Sequence, residues 1–168
     1  MKQKYLILFS LSGFLISVDQ FLKHWVVARF AEGQGASLFQ GLMVRHLKSN
    51  GFAFGLFQKM SDSLQDIFII GVPIFALILI VLIFIKLRDD QMVTSVALST
   101  ILGGAVSNLI DRLQYGFVID FLELSLGAKL SPVAFNIADF AIIIGVLLVF
   151  VGTLKAKQDG TDSVGAIP

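Results

Sequence analysis

Residues 103–112 read Gly-Gly-Ala-Val-Ser-Asn-Leu-Ile-Asp-Arg, residues 116–121 Gly-Phe-Val-Ile-Asp-Phe, and residues 135–139 Phe-Asn-Ile-Ala-Asp. The carboxylates Asp111, Asp120 and Asp139 and the amides Asn108 and Asn136 thus lie in otherwise apolar sequence. A charged side chain at the centre of a bilayer helix costs at least ~2.5–3.5 kcal/mol, so such residues mark functional sites by default. Whether these carboxylates meet is the question the rest of the chain has to answer.

The surroundings are those of a membrane protein. The chain has 168 residues, 56% hydrophobic and 15% charged, with a mean hydropathy of +0.86, too apolar for an ordinary soluble domain. A formal charge of +1 and the lack of a basic stripe give no reason to expect a nucleic-acid partner. The absence of cysteine excludes a disulfide scaffold, a thiol nucleophile and thiolate-held metal. His24 and His46 are not spaced as a ligand pair, so no metal is expected.

Working outward, Lys2 and Lys4 precede an uncharged run from Tyr5 to Val18. No small-x-small cleavage site follows, and apolar residues resume at Phe21-Leu22 and Trp25–Ala28, so a retained span over about 5–28 is expected rather than a removed signal peptide. Asp19 and Lys23, four residues apart within it, share a helical face. Further spans are expected over 67–85, containing Pro73, over 92–111, and over 130–154, with a disordered tail over 156–168. The fold expected is an all-α integral membrane protein of four transmembrane helices in one domain. A small, partly β, aromatic segment, with a strand near Leu42–Leu47, is expected between the first two.

Four spans put both termini on one side, where Lys2, Lys4, Lys86, Arg88, Lys155 and Lys157 cluster near span ends. The other side has Arg29, Arg45, Lys48, Lys59 and Lys129 in longer loops, so the termini are expected to be cytoplasmic. Depth follows from the ~1.5 Å rise per residue: Asp19 sits ~21 Å up, Asp111 ~28 Å up, and Asp139 ~13 Å down from the outer face. All three therefore fall in the outer half of the membrane, and Asp120 starts from the same surface. Asn108 and Asn136 each precede an aspartate by three residues and share its face. They serve either that aspartate or ordinary interhelical hydrogen bonding.

Two carboxylates close together in a dry site share a proton, so one can activate water while the other acts as the acid. Spacing alone pairs Asp111 with Asp139. Against this, Asp111 adjoins Arg112, whose guanidinium suits a structural ion pair, while Asp120 has no such neighbour.

The motifs resemble those of the bacterial lipoprotein signal peptidase family, signal peptidase II. The similarity runs through Asp19-Gln20-x-x-Lys23, the Gly103–Arg112 stretch, Val118-Ile119-Asp120-Phe121, and Phe135-Asn136-x-Ala138-Asp139, in that order. The resemblance implies an aspartyl endopeptidase that removes the signal peptide from prolipoproteins, before a diacylglyceryl-modified cysteine. It makes Asp120 and Asp139 the catalytic pair, and Asp19, Lys23, Asn108, Asp111, Arg112 and Asn136 supporting or substrate-contacting. It implies no cofactor, a monomer in the bacterial inner membrane, an active site toward the outer face, and lipid-modified signal peptides and membrane lipids as partners.

Two positions depart from the family pattern. Ser107 stands where the family has glycine, and a loop asparagine falls at Ser49 or Asn50. Gly51, Phe52 and Phe54 nearby are expected to form an aromatic flap over the site. The alternative activity is a small transporter or proton conductor using intramembrane carboxylates. Its polar residues would have to run through the full membrane depth, whereas here they gather in one half.

Overall fold

The computed structural model describes residues 2–49, 62–125, 127 and 131–162. Helix α1 (Gln3–Arg29) leads into strands β1 (Gly35–Phe39) and β2 (Leu42–Ser49). Helices α2 (Asp62–Lys86) and α3 (Met92–Tyr115) follow, then β3 (Val118–Leu124), β4 (Val133–Phe135) and α4 (Ile137–Asp162).

The bundle is inverted relative to a soluble one. In α1 the buried residues are Lys4, Ser12, Asp19, Lys23 and Val26, while Leu6, Phe9, Phe14 and Phe21 point outward and are mostly exposed. Apolar side chains facing out and polar ones facing in is the pattern a lipid solvent selects, because only inside the bundle can polar groups find partners. Among the described residues three helical stretches, Gln3–Arg29, Ile67–Lys86 and Met92–Tyr115, are long and apolar enough to cross a membrane, and Ile137–Thr153 is a shorter apolar helix.

Helix α3 is the axis, packed on α1 along one side and α4 along the other. Its glycines allow this. A Cβ on Gly103 would come within 3.0 Å of Ser12 Cα on α1, and one on Gly104 within 2.4 Å of the Ala138 carbonyl oxygen on α4. Gly145 on α4 returns the contact, since a Cβ there would lie 2.8 Å from the Ala97 carbonyl oxygen. Small residues at such crossings bring backbones close enough for dispersion and polar contacts to hold membrane helices together. Helix α2 packs on α3 from outside, and its buried Phe84 meets the Tyr5 ring of α1 edge-on at 5.8 Å.

Helix α3 ends at Gly116, whose φ of 78° lets its N–H bond back to the Arg112 carbonyl. The chain then enters a sheet of order β1-β2-β3-β4, antiparallel throughout. The strand expected near Leu42–Leu47 is present as β2 (Leu42–Ser49). The sheet is not confined to the first connection: β3 and β4 come from the second, and Leu47 on β2 faces Asp120 on β3. Helix α4 starts at Ile137 rather than Leu130, because β4 occupies Val133–Phe135. It continues to Asp162, into the stretch expected to be a disordered tail.

Candidate active site

The site forms where the sheet meets the bundle. Residue Asn136 is the first piece. It precedes α4, and its Oδ1 accepts the Asp139 N–H at 2.9 Å while its own N–H donates to Asp139 Oδ2 at 3.1 Å. This reciprocal pair is a capping box with aspartate at the third helical position. Asp139 thus stands in the first turn of α4, not well down a span as the depth estimate had it. The Asn136 Nδ2 points the other way and donates to Asp120 Oδ1 at 2.8 Å, with weaker reach to Asn108 Oδ1 (3.2 Å) and the Ile119 carbonyl (3.3 Å). One asparagine therefore joins Asp120 on β3 to Asp139 on α4.

The other Asn-x-x-Asp pair works differently. Asn108 lies within α3 and donates Nδ2 to Asp139 Oδ1 at 2.9 Å. Its Oδ1 accepts from Lys23 Nζ at 2.8 Å. Asp111 turns away from Asp139: its Oδ2 accepts the Ile119 N–H at 3.0 Å and pairs with Lys23 Nζ at 2.8 Å. The expected Asp111–Arg112 ion pair is therefore corrected to Asp111–Lys23. Adjacent helical residues do not face one another, and among the described residues Arg112 makes no ion pair; its charge instead acts on Asp139, Asp111 and Asp120 together. Asp19 pairs with Lys23 at 2.7 Å and accepts the Ala138 N–H at 3.0 Å.

Three further residues belong to the network. Ser107 Oγ donates to Asp19 Oδ2 at 2.7 Å, so the serine found in place of glycine does more than fill space. Gln20 Nε2 donates to Asp111 Oδ1 at 2.7 Å and to the Ser107 carbonyl at 3.0 Å. Ser49 is one of the two positions expected to fill the loop asparagine role, and its hydroxyl bonds Asp120. Gln20 sits inside a quoted motif without a role, and only the fold gives it one. Asn50, with Gly51, Phe52 and Phe54 of the expected flap, lies outside the described residues. Among the described residues no cluster of His, Cys, Asp or Glu is arranged to hold a metal ion.

Asp120 is 5% exposed. Burial, and next the charge of Asp139, push its carboxyl from the ordinary 3.8 up to about 6, against the Asn136 amide, Lys23 and the Ser49 hydroxyl, which favour ionisation. A carboxyl held partly protonated beside a second carboxylate can serve as an acid while its neighbour serves as a base.

The family model described as signal peptidase (SPase) II matches residues 11–155. The chain belongs to the signal peptidase II family. It is 34% identical over 159 residues to the lipoprotein signal peptidase of Syntrophus aciditrophicus (strain SB), covering 94% of this chain and 98% of that one. It is 35% identical to that of Geobacter metallireducens, covering 94% and 96%. A bacterial membrane enzyme solved by the in meso method at 2.3 Å resolution superposes with a TM-score of 0.76 at 28% identity, covering 95% of this chain and 92% of that one. Every side chain of the network described above, from Asp19 to Asp139, falls inside the span matched to signal peptidase II.

Proposed function

We propose that this signal peptidase II family member is an intramembrane aspartyl endopeptidase that removes signal peptides from diacylglyceryl-modified prolipoproteins. The observation that carries the reading is Asn136 bridging Asp120 and Asp139 in a chain of that family. Asp139, with a hydrogen bond on each oxygen, is the ionised member, and Asp120, pushed up to about 6, carries the shared proton.

In the proposed reaction Asp139 takes a proton from water as the water oxygen attacks the scissile carbonyl carbon. Asp120 gives its proton to the carbonyl oxygen. Collapse of the tetrahedral species breaks the C–N bond, with the proton on Asp139 going to the leaving nitrogen and Asp120 recovering its own. No covalent enzyme intermediate forms. Four helices cross the inner membrane in this reading, both termini are cytoplasmic, the dyad opens toward the outer face, and the substrate's own signal helix reaches it laterally. Asp120→Asn and Asp139→Asn are the test: each should lower turnover of a diacylglyceryl-modified prolipoprotein by about 10²–10⁴-fold or more in a folded protein. Near-normal turnover by either variant removes that residue from the dyad.

A further inference from the structure

Beside the dyad the structure buries a second pair of carboxylates, Asp19 and Asp111, which the proposed reaction does not consume. Each accepts the backbone N–H of the residue immediately before a dyad member. Ala138 N–H donates to Asp19 Oδ1 at 3.0 Å, and Asp139 follows. Ile119 N–H donates to Asp111 Oδ2 at 3.0 Å, and Asp120 follows.

These two clamps converge on one ammonium. Lys23 Nζ lies 2.7 Å from Asp19 Oδ2, 2.8 Å from Asp111 Oδ2 and 2.8 Å from Asn108 Oδ1. Its three protons thus have three acceptors. The third acceptor also leads to the dyad, because the Asn108 amide so oriented presents Nδ2 to Asp139 Oδ1. Lys23 and Asp19 are 0% exposed, as is Asp111, so no solvent is at hand to replace a lost partner.

We propose that Lys23 is a positioning residue that sets the spacing of the dyad. It ties the clamp on the backbone of β3 before Asp120 to the clamp on the backbone of α4 before Asp139. The inference rests on the dyad reading above. Strand β3 and helix α4 are separate elements, and a misplacement of about 1 Å between reacting groups can cost on the order of 100-fold in rate. Buried ion clusters are weak evidence for stability in themselves, whereas clamps directed at the two residues preceding the dyad supply the cluster with a geometric task. Ser107 and Gln20 are further tethers: the Ser107 hydroxyl donates to Asp19 Oδ2, the oxygen that also pairs with the ammonium, and Gln20 holds Asp111 by its other oxygen, Oδ1.

The test is Lys23→Met, which keeps the apolar stem and removes the ammonium. Turnover and KM on a diacylglyceryl-modified prolipoprotein are measured in detergent beside the thermal midpoint. Folded Lys23→Met should lose about 100-fold or more in kcat while KM stays within about threefold. A folded variant with wild-type kcat and only a lowered midpoint overturns the inference and leaves Lys23 a stabilising ion. Where Lys23→Met does not fold, Ser107→Ala serves. It removes the hydroxyl donor on Asp19 Oδ2 and should lower kcat several-fold without moving KM; unchanged kcat overturns the inference. Asp120→Asn run in parallel separates the two readings. An inactive Asp120→Asn beside a fully active Lys23→Met sinks the spacing role alone, and an active Asp120→Asn sinks the dyad and the spacing role together.

Discussion

Asn136 and Asp139 cap one another: the Asp139 N–H donates to Asn136 Oδ1 at 2.9 Å and the Asn136 N–H to Asp139 Oδ2 at 3.1 Å. The helix start and a proposed catalytic carboxylate are therefore one structure. Backbone groups at a helix N-terminus need partners, and the positive end of the helix favours an anion there. The same box that begins α4 thus fixes Asp139 and supports its charge.

Asn136→Ala tests that coupling. Loss of an N-cap costs about 0.5–2 kcal/mol, and Asp120 Oδ1 loses its amide donor as well. We expect a moderately lowered thermal midpoint with a loss of turnover far beyond what unfolding explains. Asn136→Ser, which can still cap but cannot reach both carboxylates, should recover the midpoint without recovering turnover. Recovery of both would show that Asn136 acts on the helix alone.

The raised carboxyl of Asp120 predicts a pH-dependent stability. The folded protein holds this proton more tightly than the unfolded chain, from the ordinary 3.8 up to about 6. The stabilisation is complete below the lower value and is lost as pH rises through the higher one. Well above that value the buried group is forced to ionise, which costs on the order of 3 kcal/mol relative to acid pH. The groups acting on it are Asp139, Lys23, Asn136 and Ser49, with Arg112 on α3. Asp120→Asn should melt above the wild type at about pH 8, with the gap closing toward about pH 4. Equal gaps at both pH values would refute this.

The apolar runs made the helices legible, because lipid-facing sequence has few ways to be read. The sheet was less so. Strand β3 is buried at Val118, Ile119, Asp120 and Phe121 in succession, so no alternation betrays it, and its partner β2 lies far back in the chain. The two Asn-x-x-Asp motifs look alike in sequence yet differ in kind. Asn136 and Asp139 form a capping box across a helix start, hidden because apolar residues run on through β4. Asn108 and Asp111 lie within α3 and serve different partners. The residues lining the site could be named from motifs; which amide met which carboxylate depended on how the elements cross.

Asp111 and Arg112 should separate in experiment. Asp111 is paired with Lys23 and holds the Ile119 backbone. Breaking a buried pair by removing one partner costs roughly 3–5 kcal/mol. Asp111→Asn should therefore lower the thermal midpoint sharply. Arg112→Leu, which breaks no ion pair among the described residues, should lower it much less. Equal losses of midpoint would restore Arg112 as a structural partner of the site.

Orientation is the remaining prediction, and two ends of the bundle decide it. At one end Lys2 pairs with Asp89 at 3.1 Å, and Lys4 Nζ reaches the Leu87 carbonyl at 2.5 Å. The N-terminus and the turn after α2 therefore share a face, along with Lys86 and Arg88. At the other end the sheet meets α1, where His46 Nδ1 bonds the Phe30 carbonyl at 3.0 Å. Positive residues close to span ends are retained on the cytoplasmic side, so the lysine-rich end should face the cytoplasm and the sheet the outer side. The chain has no native cysteine, which makes single-cysteine labelling clean. In intact spheroplasts a membrane-impermeant maleimide should label Gln34→Cys beside β1, and should label Asp90→Cys only after permeabilisation. The opposite pattern would turn the bundle over and put the proposed dyad on the cytoplasmic side.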